Sequence, residues 1–226
     1  MDLKLSAGLR RELVSAIRAN GACRSDAVAA AFAAIPREAF LPELADTEGL
    51  EAVYTDDAII TKRNRGGEPL SSSSQPSMMA AMLELLAVNP GDNVLEVGLG
   101  TGYNAALLKH LTGPGGRVSS VDVDPTIVSR AARHLAELGV EVDTICGDGR
   151  HGHAANAPYQ RIIVTAAAEG VTGAWTEQLA PEGRLVAPIR RARGRTDAQL
   201  IPAFELRDGV LRQVDQTRGF FMGLHD

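Results

Sequence analysis

The 226-residue chain has very little cysteine: Cys23 and Cys146 only, far apart and without metal-ligand spacing. That excludes a disulfide framework and a cysteine-built zinc site. Positive charge is not in excess. The formal net charge is -5 and the sequence pI ≈ 5.6, which argues against a nucleic-acid partner, since that needs a basic face. The one basic stretch, "RRARGR" from Arg190 to Arg195, reads as a solvated loop because its flanks do not extend the charge. No apolar run reaches membrane-spanning length and no basic-apolar-small signal opens the chain, so no membrane partner and a cytoplasmic location are expected. There is no internal repeat. His151 and His153 in "RHGHAAN" have no suitably spaced third ligand, so they read as a surface loop and no metal is expected. What remains is an ordinary soluble composition, 45% hydrophobic and 23% charged, on a chain long enough to bury a sizeable core.

Leu5, Leu9, Leu13 and Ile17 recur at helical spacing and predict an amphipathic helix ended by Gly21. Ser25 or Asp26 can cap a second, alanine-rich helix running to about Ala34. Two prolines in "IPREAFLP" break that pattern. Residues 54–70 are polar and contain "KRNRGGEP"; they read as a long irregular connection, of the kind that is functional or mobile. A helix is expected from Pro76 to about Ala87, then a turn at "NPGD". Beyond it, strand-like runs ("NVLEVG", "RVSSVDVD", "VEVDTICGD", "RIIVTAA", "GRLVAPI") alternate with helical ones ("YNAALLKHL", "PTIVSRAARHLAEL", "TEQLA"). Such alternation implies an α/β fold with a mostly parallel sheet and helices on both faces. Near the C-terminus, "LRDGVL" carries a hairpin signal and predicts an antiparallel edge. Trp175 reads as a core or interface ring.

In "VLEVGLGTGYNAALL" the glycines 98, 100 and 102 lie directly between a strand and a helix. There they let the backbone turn tightly and approach a ligand, and the helix start offers free N–H groups. The spacing is not that of a dinucleotide site, whose third glycine would fall on Tyr103, nor of a P-loop, since no Gly-Lys-Ser/Thr follows. Glu96 precedes the loop. An acid there repels a pyrophosphate and suits the amino and sulfonium groups of S-adenosylmethionine. Asp122 ends the next strand, where an acid accepts hydrogen bonds from ribose hydroxyls. Asp124, with Pro125 behind it, reads as a helix cap. Asp148, in "CGDGR", either receives the adenine amino group or only makes an Asp-Gly turn.

Together these segments resemble the protein-L-isoaspartate O-methyltransferase family, over about Phe40 to Leu224. "VLEVGLGTGYNAALL", "SVDVDP", "GDG" and "RIIVTAAAE" alone would indicate only the Rossmann-like class I methyltransferase fold, with a seven-stranded sheet and here extra N-terminal helices. "SSSSQPSMMAAMLELL", "IIVTAA", "LAPEGRLVAPI" and the ending "FMGL" are narrower and are similar to segments of that family. The resemblance implies a carboxyl O-methyltransferase that moves a methyl group from S-adenosyl-L-methionine to the α-carboxylate of an isoaspartyl residue. The ester then closes to a succinimide, and hydrolysis partly restores aspartate, a protein repair. It also implies that Glu96, Gly98, Gly100, Gly102, Asp122 and Asp148 serve the cofactor.

The acceptor half departs from the family. Ser72 stands where the family has threonine, Ser73 where it has isoleucine, and Leu70 and Ser71 replace Gly-Gln; Ser74 matches. Gln160 replaces a common aspartate and Gly223 a proline. A relative that tailors a normal aspartate of a dedicated precursor peptide to an aspartimide is therefore a second reading, and a non-catalytic cofactor-binding protein a third. By composition alone the serine run is a linker; by position it is the acceptor site. An acceptor carboxylate is ionised at neutral pH, with an ordinary pKa of about 4, so no general base is needed. A hydroxyl donor suffices to orient it: Ser74 first, Ser72 second. Gln75 and Thr165 are expected to touch the substrate, although for Thr165 the balance leans slightly to a structural role. Residues 1–75 read as a helical and acceptor-loop elaboration, 76–226 as the cofactor-binding unit, and 54–70 as a segment that closes over substrate.

Overall fold

The computed structural model describes residues 3–190 and 199–223. The run Arg191 to Arg195 and the last residue of "FMGL", Leu224, lie outside them.

Helix α1 (Leu3–Ala19) buries only part of its apolar stripe: Leu13 and Ile17 are enclosed, whereas Leu5 is exposed. Gly21, at φ 80°, follows the helix. Ser25, rather than Asp26, caps α2 (Asp26–Ala34), its hydroxyl accepting the Val28 N–H at 3.2 Å. A 3₁₀ turn (Arg37–Phe40) and the short helices α3 (Pro42–Glu48) and α4 (Leu50–Val53) follow. The stretch expected to be irregular then proves to be largely a hairpin, β1 (Ile59–Arg63) paired antiparallel with β2 (Pro69–Ser73). Its turn is held by the Asn64 side chain, which accepts the N–H groups of Gly66 and Glu68 at 2.9 Å each. Polar strands with no sustained apolar alternation carry little period-2 signal, which is why the sequence pattern hid them.

Helix α5 (Pro76–Leu86) leads to the main sheet: β3 (Asn93–Val97), β4 (Arg117–Asp122), β5 (Asp143–Cys146), β6 (Tyr159–Val164), β7 (Leu179–Val186), β8 (Gln199–Arg207) and β9 (Val210–Gly219). The seven strands lie in the order β5-β4-β3-β6-β7-β8-β9. Strands β3 to β7 pair in parallel and β8 and β9 add the antiparallel edge. The β8–β9 turn at Asp208-Gly209 has both φ values positive, 52° and 74°, as a two-residue hairpin turn that follows strand twist requires. Helices α6 (Tyr103–Thr112), α7 (Pro125–Glu137) and α8 (Gly173–Gln178) complete the parallel crossovers. Asp124 caps α7, accepting from the N–H groups of Thr126 and Ile127, with Pro125 at the first helical position.

Alternate residues of the central strands feed two cores. On one face Val94, Ile163 and Val186 pack with Leu13, Ile17 and Phe32 of the N-terminal helices and with Leu83 and Leu107. On the other, Leu95, Ile162, Val164 and Leu185 surround Trp175, which is fully buried. Trp175 is thus a core ring.

Candidate active site

A cavity of ≈ 290 Å³ opens at the C-terminal ends of β3, β4 and β6, the position at which open parallel sheets bind ligands. The glycine loop, the end of β4, strand β2, the start of α5 and the segment Phe221–Gly223 all line it.

Gly98 has φ 103°, and a Cβ there would fall 2.3 Å from Thr165 Oγ1. That hydroxyl donates to the Gly98 carbonyl at 2.7 Å. Thr165 therefore lines the cavity while fixing the loop, the structural role. Gly100 donates its N–H to Asp122 Oδ2 at 3.2 Å, and a Cβ on it would lie 3.4 Å from the Ser72 carbonyl oxygen. A side chain at position 100 would thus already be in contact with the β2 backbone. Asp122 also accepts the Asp124 N–H at 3.1 Å. A carboxylate has about four acceptor positions, so two remain for hydroxyls in the cavity that Asp122 lines.

On β2 the serines alternate. Ser71 and Ser73 are buried, the first receiving the Thr61 hydroxyl at 3.3 Å and the second approached by the Arg37 guanidinium at 3.5 Å. Ser72 and Ser74 are half-buried and line the cavity, and their hydroxyls have no hydrogen-bond partner among the described residues. Composition suggested a linker; in the fold these serines form a strand and its end.

The protein-L-isoaspartate(D-aspartate) O-methyltransferase family matches residues 9–226. The chain belongs to that family. It is 41% identical to a protein-L-isoaspartate O-methyltransferase of Thermotoga maritima over 73% of its own length and 51% of the relative's. With the Methanopyrus kandleri protein of the same name it shares 38% identity, over 83% of this chain and 80% of that one. A solved protein-L-isoaspartate O-methyltransferase superposes with a TM-score of 0.81 at 36% identity, covering 95% of this chain and 66% of that chain. The chain thus spans about half the length of its Thermotoga relative.

Four residues expected in the family's site lie off the cavity wall. Glu96 is wholly buried behind the loop; its carboxylate accepts from Asn104 Nδ2 at 2.7 Å and from the Ser120 hydroxyl. Burial pushes its pKa up to about 7, against the opposing pull of those two donors. Gly102, at φ 90°, starts α6 and admits α7 closely: a Cβ there would meet Ala131 Cβ at 3.3 Å. Asp148 caps its own turn, accepting the Arg150 N–H at 2.9 Å, and the Arg150 side chain holds its pKa below the usual carboxylate range. Its neighbour Gly149 is the residue that lines the cavity, anchored by the Trp175 indole N–H at 2.8 Å. Gln75 is exposed and makes no capping bond. The residue that caps α5 is Asp56, which receives the Ser77 N–H at 2.7 Å and the Ser77 hydroxyl. The other histidine-loop and strand-opening residues are simpler: His151 is exposed, and Gln160 accepts the Asn93 N–H at 2.8 Å.

Sequence reasoning missed Arg37 altogether. Its side chain is fully buried and donates to the carbonyls of Val53, Thr55, Asp57 and Ser74 at 2.9, 2.8, 3.2 and 3.2 Å. Burial lowers its pKa. Next to it, Glu38 receives the Ser6 and Tyr54 hydroxyls. One cation therefore ties the main chain of residues 53–57 to that of Ser74. No local pattern reveals it, because its partners are backbone carbonyls distant in sequence. Lys62, also unread, ties the hairpin to the cofactor side through Asp124 and, at 2.8 Å, the Thr126 hydroxyl.

Proposed function

We propose that this protein methylates the α-carboxylate of L-isoaspartyl residues in proteins or peptides, with S-adenosyl-L-methionine as the methyl donor. The observation that carries this reading is a cavity lined both by the glycine loop and Asp122 and by Ser72 and Ser74, whose hydroxyls have no partner among the described residues, in a chain of this family. S-adenosylmethionine, when bound, supplies a methyl group on a sulfonium sulfur, which becomes a neutral thioether as the acceptor oxygen takes the methyl.

The residues present suit that ligand. Gly98 and Gly100 let the loop backbone approach it, and Asp122 keeps acceptor positions for two ribose hydroxyls. Glu96 acts from behind, through Asn104 and the loop. Ser74 donates to one oxygen of the acceptor carboxylate and leaves the other to react, with Ser72 beside it. Met78, Met79 and Met82 make the adjoining wall apolar and keep water from the carboxylate. Alignment of acceptor, methyl and sulfur is worth roughly 7–11 kcal/mol in such reactions, with no base required. Residues 1–75 provide the acceptor side, and the β1–β2 hairpin closes over the peptide, with the Lys62–Asp124 pair as its fastening.

No helix among the described residues is long and apolar enough to cross a membrane, and the protein is expected to act in the cytoplasm. Labelled S-adenosylmethionine offered with matched peptides bearing isoaspartate or aspartate tests the reading. Label is expected on isoaspartyl peptides of varied sequence. Label confined to one aspartate of a dedicated precursor would replace repair by peptide tailoring, and no label on either peptide would sink both. In the same assay Ser74→Ala is expected to lower kcat about tenfold, the loss of one charge-assisted hydrogen bond, with cofactor affinity retained. Asp122→Ala is expected to weaken cofactor binding by a similar factor, measured by calorimetry.

A further inference from the structure

The acceptor wall ends in Phe221, Met222 and Gly223, all on the cavity. Met222 offers its carbonyl to the Ala167 N–H at 2.7 Å, and Arg190 donates its own N–H to the Ala168 carbonyl at 2.9 Å. The end of the β6 extension therefore runs between the two segments, and the Arg190 side chain crosses it to reach Gly223. A Cβ on Gly223 would sit 2.1 Å from Arg190 Nη2 and 2.8 Å from Cζ. A side chain at position 223, and a proline ring above all, would occupy the place the guanidinium takes.

Arg190 is exposed, and among the described residues no carboxylate or carbonyl bonds its guanidinium. It does not itself line the cavity; Gly223 does. Its charge therefore stands exposed beside the cavity lining at Gly223, in a chain whose net charge is -5. A guanidinium presents a planar fork of donors matched to a carboxylate.

We propose that Arg190, admitted by Gly223, is a specificity residue that binds a carboxylate on a residue flanking the methylated one. The ligand class is an acidic peptide. The inference rests on the peptide-methylating reading above, and its test separates the two.

Isoaspartyl peptides carrying Glu or Gln at each of the three positions on either side are compared by kcat/KM. The wild-type protein should prefer Glu at one of these positions by about two- to fivefold, the size of an exposed ion pair. The preference should reside in KM and shrink at high salt. In Arg190→Gln the Glu/Gln ratio should fall to about one, Arg190→Lys should keep part of it, and Gly223→Ala, which displaces the guanidinium, should reduce it. Methylation without a Glu preference at any position, or a preference that survives Arg190→Gln, overturns the role of Arg190 and leaves the methylating function standing. Absence of methylation on every peptide overturns both.

Discussion

Glu96 has its carboxylate enclosed between Asn104 and Ser120, with a pKa of about 7 where 4.5 is ordinary. A carboxyl whose folded pKa is raised holds its proton in the native state while the unfolded chain has lost it, so stability falls as pH rises from about 4.5 to about 7. Glu96→Gln imitates the protonated form. Its urea-unfolding free energy should match the wild type near pH 4.5 and exceed it at pH 8, by on the order of 2–3 kcal/mol. A gap independent of pH would show that the carboxyl is not held protonated. The opposite case is Asp124. Burial alone would raise its pKa, but hydrogen bonds from Lys62 and from Thr126 outweigh that and lower it to about 2. Its contribution is present above the ordinary 3.8 and is lost as pH falls through about 2. Lys62→Met should therefore cost about 1 kcal/mol at neutral pH, as a part-exposed pair does, and the difference from wild type should close between pH 4 and pH 2.

At the scale of elements, the hairpin depends on that same pair. Without it, trypsin should cleave after Arg63 or Arg65 several times faster in Lys62→Met than in the wild type; equal rates would mean that the hairpin is held by its other contacts. What was legible in the sequence follows from how local each signal is. The Asp124–Pro125 cap, the Asp208–Gly209 turn and the strand-to-helix glycine loop lie within a few residues each, and all took their expected form. So did the parallel sheet, because its buried strands read as apolar runs. The β1–β2 hairpin was hidden because its strands are polar and its buried side chains are serines. Arg37 was hidden more deeply: an arginine between two prolines looks solvent-facing, and nothing nearby announces four carbonyls waiting for it. Glu96 and Gly102 were expected at the cofactor, and their place behind the loop became visible only with the packing of Asn104, Ser120 and α7.

At the scale of the molecule, the N-terminal helices are built into the same core as the sheet. Ile17 and Phe32 share it with Leu107, Ile163 and Ile201. Unfolding should therefore be one transition, with the fluorescence of Trp175, the single tryptophan, and far-UV circular dichroism coinciding in denaturant. Two separated midpoints would show that the elaboration comes away first. This joint core also carries the anchor of the segment around β2. Arg37 grips the segment from Val53 to Ser74 chiefly by main-chain oxygens, which every residue type possesses. The path of that segment is thus insured against most changes in its own spelling. Positions 71 to 73, all serine in this chain, can therefore change without the loss of the scaffold that presents them.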